Sequence, residues 1–129
     1  MAMPQNPTEI VRAMMRRRRP SRGEIWIVHL NPTRGYETSG QRRALVISVN
    51  ELNHGPAGLA MVLPVSTVDK HIATHVKVPA GEAGQTQDGF VKCEEVRSLS
   101  IERFSSRVGV VKATTLAAVT GNVRVLLGV

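Results

Sequence analysis

The chain has 129 residues, 17 of them Lys or Arg and 10 Asp or Glu, for a net charge of +7 with histidine neutral. That length makes one domain, and 42% apolar residues supply a core without the disulfide staples that a single cysteine cannot form internally. Aromatics at 3% are too scarce for a base-stacking platform, no apolar run reaches the roughly 20 residues of a membrane span, and the positive charge points to a polyanionic partner, nucleic acid first.

The charge is unevenly placed. Six arginines against Glu9 put +5 on residues 1–22 and leave +2 for the rest. Residues 1–21 read as a basic arm, disordered or forming a short helix capped by Thr8 over Glu9–Met15 and stopped by Pro20. No long apolar stretch with a cleavage site follows the start, so no secretory signal is expected. The Arg16–Arg19 block reads equally as a phosphate-binding arm or as a solvated tail.

Residues 22–129 form the expected domain. Glu24–Leu30 is β-branched and aromatic with turn residues on both sides, a strand ending at Asn31-Pro32-Thr33. A polar loop with two glycines, Arg34–Arg42, leads into Arg43–Val49, a strand apolar enough to be buried on both faces. Asn53–Gly58 is a second loop. Leu59–Val65, Thr74–Val78, Gly89–Cys93 and Arg107–Lys112 are further short strands, with one helical turn at Ile101–Phe104. At the C-terminus Leu116, Val119, Val123 and Leu126 make one apolar helical stripe, with Thr114 or Thr115 as cap. Gly121 within it costs about 1 kcal/mol relative to Ala, and marks a tight contact or a break. This pattern predicts a mainly β (α+β) domain: a small, strongly bent antiparallel sheet or barrel with one packed helix. Cys93 excludes a multi-cysteine zinc site, fits a reducing cytosol, and points into the core between Lys92 and Glu94, which share the opposite face of their strand.

Three spaced blocks, Arg22-Gly23-Glu24-Ile25-Trp26, Leu30-Asn31-Pro32-Thr33-x-Gly35-x-Glu37 and Gly40-x-x-Arg43-x-Leu45-Val46-Ile47-Ser48, resemble the opening of the MazF/PemK (Kid) family of toxin endoribonucleases. Val62-Leu63-Pro64-Val65-Ser66-Thr67 and Gly89-Phe90-Val91-Lys92-Cys93-Glu94 are similar to later strands of that family, in the same order. The resemblance runs from about Arg22 to the C-terminus. It implies an SH3-like small β-barrel with a C-terminal helix, assembled as a homodimer in the bacterial cytoplasm. It also implies metal-independent, sequence-selective cleavage of single-stranded mRNA, no cofactor, inhibition by an acidic antitoxin, and contact with operator DNA only through the antitoxin complex.

Metal-free RNA cleavage uses the neighbouring 2′-OH as nucleophile and needs a base, a cation and an acid around one phosphate. By the resemblance Arg43 is the leading catalytic cation, a fork that holds two phosphate oxygens at once. Arg42 faces the other way along an extended chain and reads as a backbone contact or an inert neighbour. Ser66 stands for the family's active-site threonine, with Thr67 beside it as an RNA contact. Lys92 and Glu94 occupy the places of an arginine and an aspartate of the Kid branch. Glu37 is a loop acid, a base or a fixer of the loop. Tyr36 departs from a family histidine and is a poorer base at neutral pH, but can donate a proton or stack on a base. Arg34 completes the RNA contacts. His75 follows a family Thr-His-Val pattern, and most of the four histidines read as structural or solvated, none spaced for a metal. Two other readings remain: a CcdB-like gyrase inhibitor, which would not need Arg43 with a hydroxyl pair, and a plain basic nucleic-acid-binding module that depends on the arm.

Overall fold

The computed structural model describes residues 6–10, 19–30, 35–37 and 40–129. In chain order these form β1 (Glu24–His29), β2 (Gln41–Val46), a single helical turn α1 (Asn50–Asn53), β3 (Leu59–Ser66), β4 (His75–Val78), β5 (Gly89–Lys92), β6 (Arg97–Ser100), β7 (Phe104–Val110) and the helix α2 (Ala113–Leu127). All pairings are antiparallel, in the order β4-β5-β3-β2-β1-β7 with β6 added to β3.

β3 organises the sheet. One edge pairs with β2, and the other is divided between β6, opposite Leu59–Val62, and β5, opposite Val65 and Ser66. A strand met by two partners along one edge makes the sheet curl around it. Register shifts between β1 and β7 at Ile25/Trp26 and Ile27/Val28 add further bend. The result is the strongly bent sheet expected of an SH3-like barrel, but an open one: among the described residues no pairing joins β4 to β7.

Alternation along the strands divides the core in two. Ile25, Leu45, Leu63, Val65, Val91 and Cys93 face α2 and bury Val119 and Val123 of the helix. Trp26, Val28, Ala44, Val46, Ala60 and Val62 fill the other face with Leu99, where Trp26 meets Phe104 edge to face at 5.9 Å. Each fully buried aliphatic side chain contributes about 1.5–3 kcal/mol.

Several boundaries differ from those read in the sequence. β2 starts at Gln41 and β7 at Phe104, both earlier than expected: Gln41 and Arg42 are solvent-facing and carry no apolar signal, and the half-buried Phe104 is cut off from the rest of its strand by the exposed Ser105 and Ser106. β6 was not expected, since only Leu99 in Arg97-Ser98-Leu99-Ser100 is buried. Asn53, read as loop, ends α1 and is fully buried, where its amide donates to the Ser48 carbonyl and its side-chain carbonyl accepts from the Ser48 hydroxyl. In α2 neither threonine is the cap residue. Glu82 accepts instead, from the Lys112 N–H at 3.1 Å and the Thr115 hydroxyl at 2.6 Å. Leu126 is 45% exposed, so the stripe buries only its earlier members. Gly121 marks neither a tight contact nor a break: the helix runs through it, and a Cβ there would meet no atom within 4 Å.

At the N-terminus Asn6, not Thr8, caps the helical turn at 7–10, accepting from the Glu9 N–H at 2.8 Å. Arg16, Arg17 and Arg18 lie outside the described residues, as does the expected helix beyond Ile10. Arg19 donates to the Gly55 carbonyl at 2.6 Å and Pro20 is fully buried with its carbonyl on His54, so these residues of the expected arm are tied to the turn after α1.

Candidate functional site

A groove of about 740 Å³ opens where the ends of β2 and β3 meet the loop before β2. Arg42, Arg43, Ser66, Thr67, Lys92, Tyr36 and Glu37 all border it. A second hollow of about 450 Å³ shares Tyr36, Glu37, Lys70 and Lys92 and continues to His75 and Glu94. Eight of the nine side chains selected from the sequence therefore border one continuous surface. The ninth, Arg34, lies outside the described residues.

The sheet register distinguishes the two arginines. Arg43 stands across from Ile27 and Val65, whereas Arg42 stands across from Val28. Residues directly opposite share a face, so half-buried Arg43 belongs to the Val65 face and exposed Arg42 to the other. Ser66, one residue past Val65, lies on Arg42's face. The same face continues through Phe90, across from Ser66, to Lys92 and to His75, which stands across from Lys92. Arg42, ranked behind Arg43 in the sequence, is thus the arginine on the hydroxyl's side of the sheet. Its guanidinium donates to the Gln41 carbonyl at 3.1 Å, a contact that a bound anion can replace.

The Ser66 hydroxyl accepts from the Val68 N–H at 3.0 Å, the strand-end turn bond typical of serine. That bond uses one lone pair and leaves the O–H free to donate. Tyr36 and Glu37 are exposed on the rim. Lys92 and Glu94 do not pair with each other. Lys92 Nζ lies 3.4 Å from Glu95, and Glu94 bonds to two groups that precede or begin β4. The Thr74 hydroxyl donates to Glu94 Oε1 at 3.0 Å, and His75 Nε2 meets Oε2 at 2.8 Å. Partial burial pushes the Glu94 carboxyl up, but the His75 bond, a backbone N–H and the Thr74 bond outweigh it and leave the group below its ordinary range.

The other histidines do different work. His54 bonds the Ser21 hydroxyl and the Pro20 carbonyl, His71 sits 3.6 Å from Asp69, and His29 is exposed at the end of β1. Cys93 is sealed in the core under α2, where burial pushes its thiol up to about 11. Among the described residues no cluster of three or more His, Cys, Asp or Glu could hold a metal, and no helix is long and apolar enough to cross a membrane. Thr74 and Lys70 were not selected from the sequence, and His75 was noted only for its Thr-His-Val pattern; it takes the β4–β5 register to place His75 beside Lys92.

Residues 21–127 match the family model of the PemK-like, MazF-like toxins of type II toxin–antitoxin systems. The endoribonuclease MazF9 of Mycobacterium tuberculosis is 37% identical over 101 residues, 74% of this chain and 86% of that protein. The endoribonuclease PemK of Escherichia coli is 30% identical over 118 residues, 90% and 88% of the two chains. Among solved structures, MazF of Deinococcus radiodurans superposes with a TM-score of 0.77 at 31% identity, covering 86% of this chain and 98% of that one. A MazE–MazF complex from the same organism superposes at 0.70 and 32% identity, covering 84% and 96%.

Proposed function

The chain belongs to the PemK-like, MazF-like toxin family, and from that premise we propose that it is the toxin of a type II toxin–antitoxin pair, an endoribonuclease that cuts single-stranded mRNA without a metal ion. The observation that carries this reading is the shared face of Arg42, Ser66 and Lys92, continuous with Tyr36 and Glu94 along one groove. Those groups are the cation, donor, acid and carboxylate that attack by a 2′-OH requires.

In this mechanism the RNA phosphate sits between the arginines and the Ser66 hydroxyl. Arg42 forks onto two of its oxygens, Arg43 adds charge from the far side of the strand, and Ser66 donates to a non-bridging oxygen. Glu94, ionised at neutral pH, takes the proton of the 2′-OH as that oxygen bonds to phosphorus. The P–O5′ bond breaks, and the exposed Tyr36 phenol gives its proton to the departing 5′-oxygen. Products are a 2′,3′-cyclic phosphate and a 5′-hydroxyl end. Lys92 and Thr67 hold neighbouring backbone, Arg34 extends that contact along the strand, and Glu37 fixes the loop before β2.

The chain acts in the bacterial cytoplasm as a homodimer, a reading supported by the exposed apolar end of α2 at Val125, Leu126, Leu127 and Val129. An acidic antitoxin covers the cationic groove, a reading supported by the groove's arginines and lysines and by the MazE–MazF complex among the structures this chain resembles. The purified chain, incubated with a long single-stranded RNA in EDTA, yields fragments at a short recurrent sequence with cyclic phosphate ends. Intact RNA from folded, antitoxin-free protein overturns the reading. Cutting that disappears with residues 1–18 and with modest salt supports the basic-arm alternative instead.

A further inference from the structure

We propose that His75 is a positioning residue: together with Thr74 it holds the Glu94 carboxylate ionised and aimed into the groove, a role that rests on the ribonuclease reading above. His75 opens β4 opposite Lys92, and its side chain is 4% exposed, so it does not meet substrate itself. Its Nε2 is spent on Glu94 Oε2 at 2.8 Å, and its Nδ1 is buried with no hydrogen-bond partner among the described residues.

That pattern sets the tautomer. A buried N–H without an acceptor is expensive, whereas a bare ring nitrogen costs less. The ring proton therefore sits on Nε2 and is donated to Glu94. Thr74 donates to the other oxygen, so both carboxylate oxygens receive a hydrogen bond, and each keeps a lone pair for an incoming hydroxyl. Donors of this kind stabilise the charged form, in agreement with the lowered position of Glu94.

The step itself is fixed from behind. Asn122 of α2 donates to the Thr74 carbonyl at 3.3 Å, and the His75 N–H bonds the Ile72 carbonyl at 3.0 Å. The remaining titratable groups facing Glu94 are Tyr36 and Glu37 from the loop before β2, Lys70 ahead of β4, Lys92 and Glu95 around the same turn, and the neutral Cys93. Lys92 is within reach of Glu95, so the contact within bonding distance that is particular to Glu94 is the Thr74–His75 pair.

The experiment compares His75→Phe, which keeps the volume but deletes the donor, with His75→Gln, whose amide N–H reaches the place of Nε2. The carboxyl of Glu94 is titrated by NMR in glutamate-labelled protein, assigned with Glu94→Gln, and kcat/KM for RNA cleavage is followed against pH. In His75→Phe the Glu94 titration and the acid limb of cleavage both move to higher pH, and cleavage at neutral pH falls roughly ten-fold, the loss of one hydrogen bond to a charged group. His75→Gln returns both towards wild type. In a Glu94→Gln background His75→Phe adds no further loss. Thr74→Val, which leaves the buried ring in place, moves the titration in the same direction and serves if His75→Phe does not fold. An unmoved Glu94 titration in the folded variants, or equal losses in the Phe and Gln variants that add to Glu94→Gln, overturns the proposal. Wild-type protein that leaves RNA intact overturns the ribonuclease reading and the catalytic use of the pair, while the titration alone decides whether His75 holds Glu94.

Discussion

Replacing Arg42 and Arg43 one at a time by alanine separates the two sides of β2. Arg42 is exposed and among the described residues its side chain makes one hydrogen bond, to the carbonyl of its own neighbour Gln41, so removing it changes stability by no more than about 0.5 kcal/mol. A donor aimed at a phosphorane is worth on the order of 10²–10³ in rate, about 3–4 kcal/mol of transition-state stabilisation. Arg42→Ala therefore lowers kcat by at least a hundred-fold with an unchanged melting curve. Arg43 is half-buried on the face of Val65 and Ile27, where its stem covers apolar surface. Arg43→Ala costs roughly 1 kcal/mol of stability and, acting from across the strand, about ten-fold in rate. Arg42→Lys keeps a charge on the right face but loses the fork, and recovers only part of the activity. Single-turnover cleavage of a short labelled RNA in EDTA, with thermal melting of each variant, measures both effects. Full activity in Arg42→Ala together with abolished activity in Arg43→Ala refutes the register argument and returns the phosphate clamp to the face chosen from the sequence.

Ser66→Ala removes the free O–H and reduces cleavage by roughly ten-fold or more, whereas Ser66→Thr retains it, since the hydroxyl and its turn bond to Val68 survive; the same single-turnover assay distinguishes them. Gly121→Ala stabilises α2 by about 0.5–1 kcal/mol, because the position is exposed and a methyl group meets nothing, and denaturant unfolding shows the gain as a raised midpoint at constant slope. Gly109→Ala has the opposite sign: its Cβ would stand 2.4 Å from the Ala83 carbonyl group, so backbone must move, at a cost of about 1–3 kcal/mol or more in the same measurement. Glu82→Ala removes the acceptor shared by the Lys112 N–H and the Thr115 hydroxyl and lowers the midpoint by the equivalent of about 1 kcal/mol.

How far the sequence carries depends on what each residue buries. Glu24–His29 and Leu59–Val65 were legible because alternation or continuous apolar character shows which strands face a core. Arg97–Ser100 was not, because one leucine among polar residues has no period. Gln41 and Arg42 were assigned to the loop for a related reason: they are paired by backbone while their side chains stay in water. The site was legible as a set of residue types but not as a set of faces. Whether Arg42 or Arg43 sides with Ser66 depends on a one-residue register between β2 and β3, and no composition reports it. His75 is the plainer case: its strand was read correctly, but its role depends on standing opposite Lys92 and two residues from Glu94 across a turn.

The sealed position of Cys93 has a practical consequence. Its sulfur lies between β5 and α2 with full burial, its thiol is pushed up to about 11, and it donates to the Val91 carbonyl at 3.8 Å. A thiolate-directed reagent cannot reach it while the helix is seated. Labelling therefore counts departures of α2 from the sheet, and its rate in the native protein is a clock for that one movement. Since α2 also carries Asn122, which braces the strand entering the groove, the same clock read with and without a bound partner reports how firmly the floor of the site is held.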